Sequence, residues 1–146
     1  MNELEKEITE RVKGNGFMTY NHMELERMDP DHAVFRLDIR PESRNVYGMV
    51  HGGALYTLAD NAAGCAVHTD GRNYVTQSGS MNFLRNQGSG TVRAEARVRH
   101  RGGSTALVMV DILGEQDTLL ATGEYSFFCV DRKRVEEQAR KEQEKL

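Results

Sequence analysis

Apolar residues recur along this 146-residue chain with two different periods, and each period predicts a different kind of element. Leu4, Ile8 and Val12 stand at every fourth position of a charged segment that ends at Gly14. This spacing predicts a short amphipathic helix over residues 3–13 with a glycine stop. A longer helix is predicted over residues 53–68, where two glycines lead into a broad face of leucine, alanine and valine. Its small residues allow close packing against a sheet.

Alternation of apolar and polar positions predicts six strands. The first two cover residues 18–28 and 33–39 and are joined by a turn at Asp29-Pro30-Asp31. The other four follow the long helix, at about 74–85, 90–101, 104–114 and 118–130. Their connections all have the composition of hairpin turns, which predicts that these four strands are sequential antiparallel neighbours.

The predicted element order, α-β-β-α-β-β-β-β, defines the fold class. One long helix and about six long strands cannot form a parallel βαβ stack, so the sequence predicts an α+β protein. The expected architecture is the hotdog fold, a curved antiparallel sheet wrapped around one central helix, with a short N-terminal helix. Residues 1–16 are expected to pack as a helix on a main domain of residues 17–130. Residues 131–146 are expected to form a charged, disordered tail.

Composition narrows the classes of function. A net charge of −3 and a pI of about 6.0 give no general attraction to nucleic acid. Cys65 and Cys129 lie in apolar segments without a spaced framework, which favours two buried free thiols in a reducing compartment. The acidic N-terminus has no apolar signal-peptide core, and no apolar run is long enough to span a bilayer. We therefore expect a soluble cytoplasmic protein that binds neither nucleic acid nor membranes.

The candidate chemistry lies between Asn45 and Asp60. A polar loop carrying Asn45 and His51 leads through Gly52 into the start of the long helix, where free backbone N–H groups can hold a developing negative charge. Asp60 follows nine residues after His51 among leucines and alanines, where burial disfavours an unpaired charge. An amide, an imidazole, a helix start and a carboxylate together suggest acyl chemistry.

With these residues in view, the chain resembles hotdog-fold acyl-CoA thioesterases of the phenylacetate-degradation, or PaaI-like, type. The resemblance covers about residues 17–130 and is most specific from Asn45 to Asp60. It implies that Asn45 and the Gly52 N–H hold the thioester carbonyl and that His51 lies by the leaving sulfur. It also implies that Asp60 acts as general base or nucleophile. A strand hydroxyl often assists this carboxylate in the family, and Ser78 is the best candidate, with Ser80 as the alternative.

Helix geometry adds a requirement for self-association. Gly52 and Asp60 are separated by eight helical residues, a rise of about 12 Å, whereas a catalytic carboxylate must approach within about 3 Å of the group it serves. If both residues act on one thioester, Asp60 must come from a neighbouring subunit. The resemblance implies the same arrangement, a homodimer that is commonly paired into a homotetramer. The expected substrate is a small-molecule acyl-CoA, and the proposed chemistry needs no cofactor or metal.

A row of arginines along the strand 90–101 has two interpretations. The alternation of arginine with valine and alanine is the ordinary pattern of a sheet with one solvated face. The end of the row nevertheless corresponds to the place where the family contacts the nucleotide part of CoA. Guanidinium and glycine N–H groups suit phosphates, which makes Arg101, Gly102, Gly103 and Ser104 candidate CoA contacts.

Several alternatives stay open on sequence alone. Asp60 could cap or hydrogen-bond a neighbouring strand, His51 could bond a loop carbonyl, and Asn45 could stabilise its own loop as an Asx turn. A non-catalytic acyl-CoA-binding hotdog protein and an acyl-thioester hydratase or dehydratase are competing functions. Water attack and an anhydride intermediate are indistinguishable, and aryl, short-chain and medium-chain acyl groups all fit the sequence.

Overall fold

The computed structural model describes residues 2–131 and 140–146. Its N-terminal part consists of two helices, α1 over Glu3–Lys13 and α2 over Gly16–Tyr20. The Asn2 side chain accepts a hydrogen bond from the Glu5 N–H in a capping box, which starts α1 at the predicted residue. Ile8 is buried, so α1 packs by the face that the four-residue spacing predicted.

The helix α2 was not predicted and replaces the start of the first expected strand, which begins at Met23 rather than at residue 18. The Asn15 side chain accepts a hydrogen bond from the Met18 N–H and caps this short helix. A five-residue helix is too short to show a helical period, so residues 18–22 were assigned to the first strand.

Six strands form one antiparallel sheet. They are β1 over Met23–Asp29, β2 over His32–Asp38, β3 over Tyr74–Phe83, β4 over Thr91–Arg101, β5 over Thr105–Leu113 and β6 over Leu119–Cys129. The central helix α3 runs over Gly52–His68 and packs on one face of this sheet, which we call the inner face. The predicted sheet of six strands around one helix is confirmed.

The spatial order of the strands is β1-β2-β4-β5-β6-β3, and it corrects one prediction. Because β3 pairs with β6 at the edge of the sheet, the connection 84–90 crosses over from that edge to β4 and is not a hairpin. Gln87 anchors this crossover, since its backbone carbonyl accepts from the Val50 N–H and its side chain accepts from the Glu115 N–H. Glycine and amide residues suit hairpins and crossovers alike, so composition could not distinguish them.

The core lies between α3 and the inner face. Leu58, Ala59 and Ala62 are fully buried, and the small volume of the two alanines lets the helix lie close to Phe35 and Tyr125 of the sheet. Other buried members include Ala63, Ala66, Val67, Val92, Val108 and Ile112. The buried face of α3 thus fixes the helix against the sheet and leaves its polar residues outside that face.

The predicted tail falls mainly on residues 132–139, including Arg132-Lys133-Arg134, which lie outside the described residues. Residues 140–144 are helical.

Within the described chain, no helix combines the length and apolar character needed to cross a membrane.

Candidate active site

Asn45 organises the loop that precedes α3. Its side-chain Oδ1 accepts hydrogen bonds from the N–H groups of Tyr47, at 2.9 Å, and Met49, at 3.1 Å. Its own N–H donates to the Met49 carbonyl, and Gly48 turns the loop at a φ of +79° that favours glycine. The Asn45 Nδ2 group has no acceptor in the described part of the chain. Asn45 therefore stabilises its loop through oxygen and keeps its N–H donors for another group.

His51 is the N-cap of α3. Its Nδ1 accepts a hydrogen bond of 2.8 Å from the Gly53 N–H, so the neutral imidazole carries its proton on Nε2. A Cβ at residue 53 would lie 3.0 Å from Nδ1, which explains the second glycine of the motif. The cap holds the ring in place and leaves Nε2–H as a donor on an exposed side chain.

The Gly52 N–H is the helix-terminal donor that stays available. The N–H groups of Ala54 and Leu55 bond to the His51 carbonyl, and that of Gly53 bonds to the His51 ring. The Gly52 N–H has no acceptor among the described residues. A Cβ at residue 52 would lie 3.4 Å from the Phe83 ring, which covers one side of this position. A single oxygen could accept this N–H at the positive end of the helix dipole.

Asp60 is partly buried on α3, and the hydroxyl of Thr76 on β3 donates to its Oδ1 at 2.8 Å. Burial raises the pKa of the Asp60 carboxyl above its usual range, and the Thr76 hydrogen bond opposes part of that rise. Asp60 lines a cavity of about 370 Å³ between the N-terminal helices, α3 and the sheet. Cys65 lines it too, but burial raises the pKa of its thiol to about 12, so the thiol stays protonated near neutral pH and the carboxylate is the group available as a base.

One chain does not bring the loop residues and Asp60 together. His51 and Gly53 line a separate depression beside Asn21 and Glu42, whereas the cavity at Asp60 includes neither of them. The structure agrees here with the helix-rise argument, because Gly52 and Asp60 lie on the same continuous helix.

The structure places Thr76, and not Ser78, beside Asp60 in the same chain. The Ser78 hydroxyl instead bonds that of Ser126 at 2.6 Å. Ser126 lies between the buried Tyr125 and Phe127 on β6, so this serine pair lies on the outer face of the sheet, away from α3.

A bulge in β3 separates Thr76 from both candidate serines. Thr76 pairs with Phe127 and Ser78 with Ser126, which leaves Gln77 as an extra residue. Ser80 pairs with Glu124 and follows Ser78 onto the outer face. Strict alternation would have put Thr76 and the two serines on one face, so sequence spacing alone could not identify Thr76. The catalytic role given to Ser78 stays a prediction.

Arg101 has a structural role at the opposite end of α3. It donates to the Val67 carbonyl at 2.9 Å and pairs with Asp31 at 2.7 Å and Asp70 at 2.9 Å. The carbonyls of Gly102 and Gly103 accept hydrogen bonds from Arg72.

Two further backbone groups of the turn after β4 have partners within the chain. The Gly102 N–H donates to the Thr105 carbonyl, and the Ser104 carbonyl accepts from the Cys129 N–H. The predicted CoA contact of Arg101, Gly102, Gly103 and Ser104 stays a prediction. The Arg101 guanidinium does not support it, because it is already bound to Val67, Asp31 and Asp70. Among the described residues, no three histidine, cysteine, aspartate or glutamate side chains cluster as they would around a metal ion.

The chain is similar to known proteins in sequence and in fold. A family model described as Thioesterase superfamily matches residues 47–121. The acyl-coenzyme A thioesterase PaaI of Escherichia coli is 33% identical over 95 residues, which cover 64% of this chain and 68% of that protein.

Solved structures agree with this match. A mutant of the phenylacetic acid degradation protein PaaI from Thermus thermophilus is 30% identical, covers 80% of this chain and all of its own, and has a TM-score of 0.76. The E. coli PaaI structure, 24% identical over 87% of this chain and 93% of its own, has a TM-score of 0.82 and shows the same fold.

The chain belongs to the Thioesterase superfamily and is a thioester hydrolase of the PaaI-like hotdog type. The family resemblance inferred from the segment Asn45 to Asp60 is thereby confirmed.

Proposed function

We propose that this protein hydrolyses acyl-CoA thioesters at sites shared between two subunits. The observation that carries the proposal is the pair of unused donors, Asn45 Nδ2–H and Gly52 N–H, on a loop held rigid by its own hydrogen bonds. Two such donors suit the carbonyl oxygen of a thioester, where negative charge grows during attack.

The second subunit supplies the base. The carboxylate of Asp60 from the partner chain attacks the thioester carbon or takes a proton from the attacking water. The C–S bond then breaks and releases the CoA thiolate, to which the Nε2–H of His51 can donate a hydrogen bond. The proton that the thiolate takes up is the one that the water molecule gives to the Asp60 carboxylate. If an anhydride forms, water hydrolyses it and regenerates the carboxylate. Either path consumes one water and yields the free acid and CoA, without a cofactor.

The exposed edge of β3 supports a shared site. Nearly every residue of this strand is exposed, including Val75 and Phe83. In the part of the chain that the structure describes, β6 is the only strand that pairs with it. An unpaired strand edge of this length is a template for pairing with a second chain. We propose a dimer formed along β3, with a tetramer as the larger assembly.

The two buried free thiols, Cys65 and Cys129, also fit a protein of a reducing cytoplasm.

Thiol release from acyl-CoA substrates tests the proposal. The native chain and Asp60→Asn are compared on phenylacetyl-, hydroxybenzoyl-, short-chain and medium-chain acyl-CoAs. Loss of a catalytic carboxylate should lower kcat by about a hundredfold or more. Asp111→Asn, the same change at an exposed position of β5, is the matched control and should retain native turnover. Unchanged turnover in folded Asp60→Asn, or no thiol release from any substrate, would contradict the proposal and favour a binding protein.

A further inference from the structure

The cavity beside Asp60 ends in a group of N–H donors. Asp60 and His68 are separated by eight residues of α3, a rise of about 12 Å, and both line the cavity. At the His68 end, Arg11 of α1 reaches across to His68 Nε2 at 3.2 Å and Asn73 Oδ1 at 3.4 Å. Asn15, the cap of α2, lines the cavity as well. We call Arg11, Asn15, His68 and Asn73 the distal cluster.

The acceptors of the distal cluster are already occupied. His68 Nδ1 is bonded to the Arg72 carbonyl, so that nitrogen carries the proton and Nε2 accepts from Arg11. Asn15 Oδ1 accepts from the Met18 N–H, and Asn73 Oδ1 accepts from Arg11. The polar groups without a partner in the described chain are therefore the amide N–H groups of Asn15 and Asn73. A ligand that complements this end must bring acceptor oxygens.

The charge at this end comes from Arg11. Among the described residues, its one acidic partner is Glu7, at 2.6 Å on the preceding turn of α1, and both side chains are more than half exposed. A solvated pair of this kind is worth little and is easily exchanged for another carboxylate. A carboxylate bound beside Arg11 would also keep part of its hydration, because the rim is open to water, so its desolvation cost is small.

We propose that the acyl group of the substrate carries a terminal carboxylate, and that Arg11 with the Asn15 and Asn73 amides binds it. This inference rests on the proposed thioesterase function, because it assumes that the thioester lies at Asp60. The acyl chain then runs along α3 past Phe35, Gly64 and Phe127, which line the apolar middle of the cavity. Arg11 is a specificity residue and takes no part in bond cleavage.

Matched pairs of CoA thioesters test the inference. Each pair has the same number of carbons, from about four to ten, and ends either in a carboxylate or in a methyl group. For the best-fitting length, the carboxylate member should have a kcat/KM about tenfold or more above its methyl partner, mainly through a lower KM. Arg11→Gln should abolish this ratio, and Glu7→Gln should raise it by removing the competing carboxylate. Arg27→Gln, which changes an exposed arginine paired with Asp29, should leave the ratio at the native value.

Two results would overturn the inference. One is equal turnover of the two members at every length, and the other is an Arg11→Gln protein in which both members lose the same factor. If no thioester is hydrolysed at all, the proposed function fails, and calorimetric titration of the unmodified chain with the same pairs decides the inference separately. Tighter binding of the carboxylate member that is lost in Arg11→Gln would then support the distal cluster, and equal binding would overturn it.

Discussion

Single residues in the site combine a structural and a chemical role. Asn45 bonds its loop through Oδ1 and offers Nδ2, and His51 caps α3 through Nδ1 and offers Nε2. The sequence alternatives of loop stabiliser and functional group are therefore not exclusive. The Asx turn proposed for Asn45 is present, whereas His51 accepts from a backbone N–H and does not bond a loop carbonyl. Both side chains are held rigid by the bonds that also set the direction of their free donors.

Thr76 sets the acid limit of activity if Asp60 is the base. The Thr76 hydroxyl stabilises the Asp60 carboxylate, and its removal leaves burial as the cause of a further rise in the pKa of Asp60. Because the working form is the carboxylate, Thr76→Val should move the acid limb of the kcat/KM profile to higher pH. The loss of activity should thus be larger at pH 5 than at pH 8.

The control for this profile is Thr122→Val, the same change on the outer face of β6, where the hydroxyl is remote from Asp60. Its acid limb should coincide with that of the native chain. An equal loss at every pH in Thr76→Val would indicate a packing defect, and an unchanged profile would contradict the assigned link between Thr76 and the carboxylate.

At the scale of single residues, the sequence was informative where a motif has a local physical basis. The helix start and the helix carboxylate follow from the order Asn45, His51, Gly52, Asp60, whereas the capping role of His51 was not predicted. The hydroxyl partner of Asp60 depends on a bulge at Gln77, and a bulge arises from the pairing with β6. No pattern within β3 itself specifies that extra residue.

Among the elements, α3 and β3 determine how a complete site can form. The helix carries Gly52 and Asp60 too far apart to serve one thioester, and the strand presents an open edge on which a second chain can pair. Pairing of two β3 strands would put the helix of one subunit beside the loop of the other. Gly79 has no side chain on the inner side of β3, and a Cβ there would lie 2.5 Å from the hydroxyl of Tyr56 on α3. The glycine therefore lets this part of the strand pack close to the helix.

Subunit complementation tests this arrangement. Asn45→Asp keeps the Oδ1 that its loop requires and removes the Nδ2 donor, and Asp60→Asn removes the base. Each variant alone should be nearly inactive. When both are co-expressed, a mixed dimer contains one site with both native residues and one with neither, so about a quarter of native activity should return after random pairing.

The matched control pairs Asp60→Asn with the double variant Asn45→Asp/Asp60→Asn, which cannot form a native site in any combination. If mixed dimers, verified by mass, recover no more activity than this control, the two residues act within one chain and the shared site is wrong.

The elements that the sequence predicted well are those with several turns or several alternations. The bounds of α1 and α3 agree with their periods to within a residue, because amphipathic packing determines them. The short helix α2 depends on one cap at Asn15, and a single hydrogen bond leaves no periodic trace. The same reason explains why residues 18–22 were assigned to a strand.

Arg101 connects several elements of the fold at the C-terminal end of α3. This side chain, about one fifth exposed, links the β1–β2 turn at Asp31, the helix carbonyl of Val67, the Asp70 carboxylate and the Tyr74 hydroxyl on β3. Four separate parts of the chain thus share one guanidinium. Salt bridges and hydrogen bonds of this partly buried kind stabilise more than exposed pairs do.

Arg101→Met should therefore lower the free energy of unfolding by about 2 kcal/mol while keeping the apolar stem. It leaves the Val67 carbonyl without this donor, and it removes the ion pairs of Arg101 with Asp31 and with Asp70, which keeps its bonds from Arg72 and Tyr74. For a chain of this size, the corresponding fall in Tm is about 4–8 °C. Thermal unfolding is measured at equal protein concentration, with Arg97→Met as control because the Arg97 side chain is 67% exposed. A Tm within a degree of native in Arg101→Met would contradict the structural role of this residue.

At the scale of the whole molecule, the sequence predicted the layers but not the order of the strands. Six alternating segments and one broad-faced helix are enough to require a sheet wrapped on a helix. Whether β3 pairs with β4 or with β6 depends on contacts between residues about 50 positions apart, such as Thr76 with Phe127. Local composition does not specify such contacts.

The start of α3 also defines how many atoms it can serve. Of its first four N–H groups, those of Gly53, Ala54 and Leu55 are taken by the ring and carbonyl of His51, and the Gly52 N–H is left. This helix end therefore has one free N–H donor and can bind one acceptor oxygen. It matches the single oxygen of a thioester carbonyl, and it is a poor receptor for a phosphate, whose three oxygens call for several donors at once. The helix dipole alone would attract both a phosphate and a developing oxyanion. Because His51 occupies the other amides, we expect this helix end to favour the carbonyl of an acyl group over the phosphates of CoA.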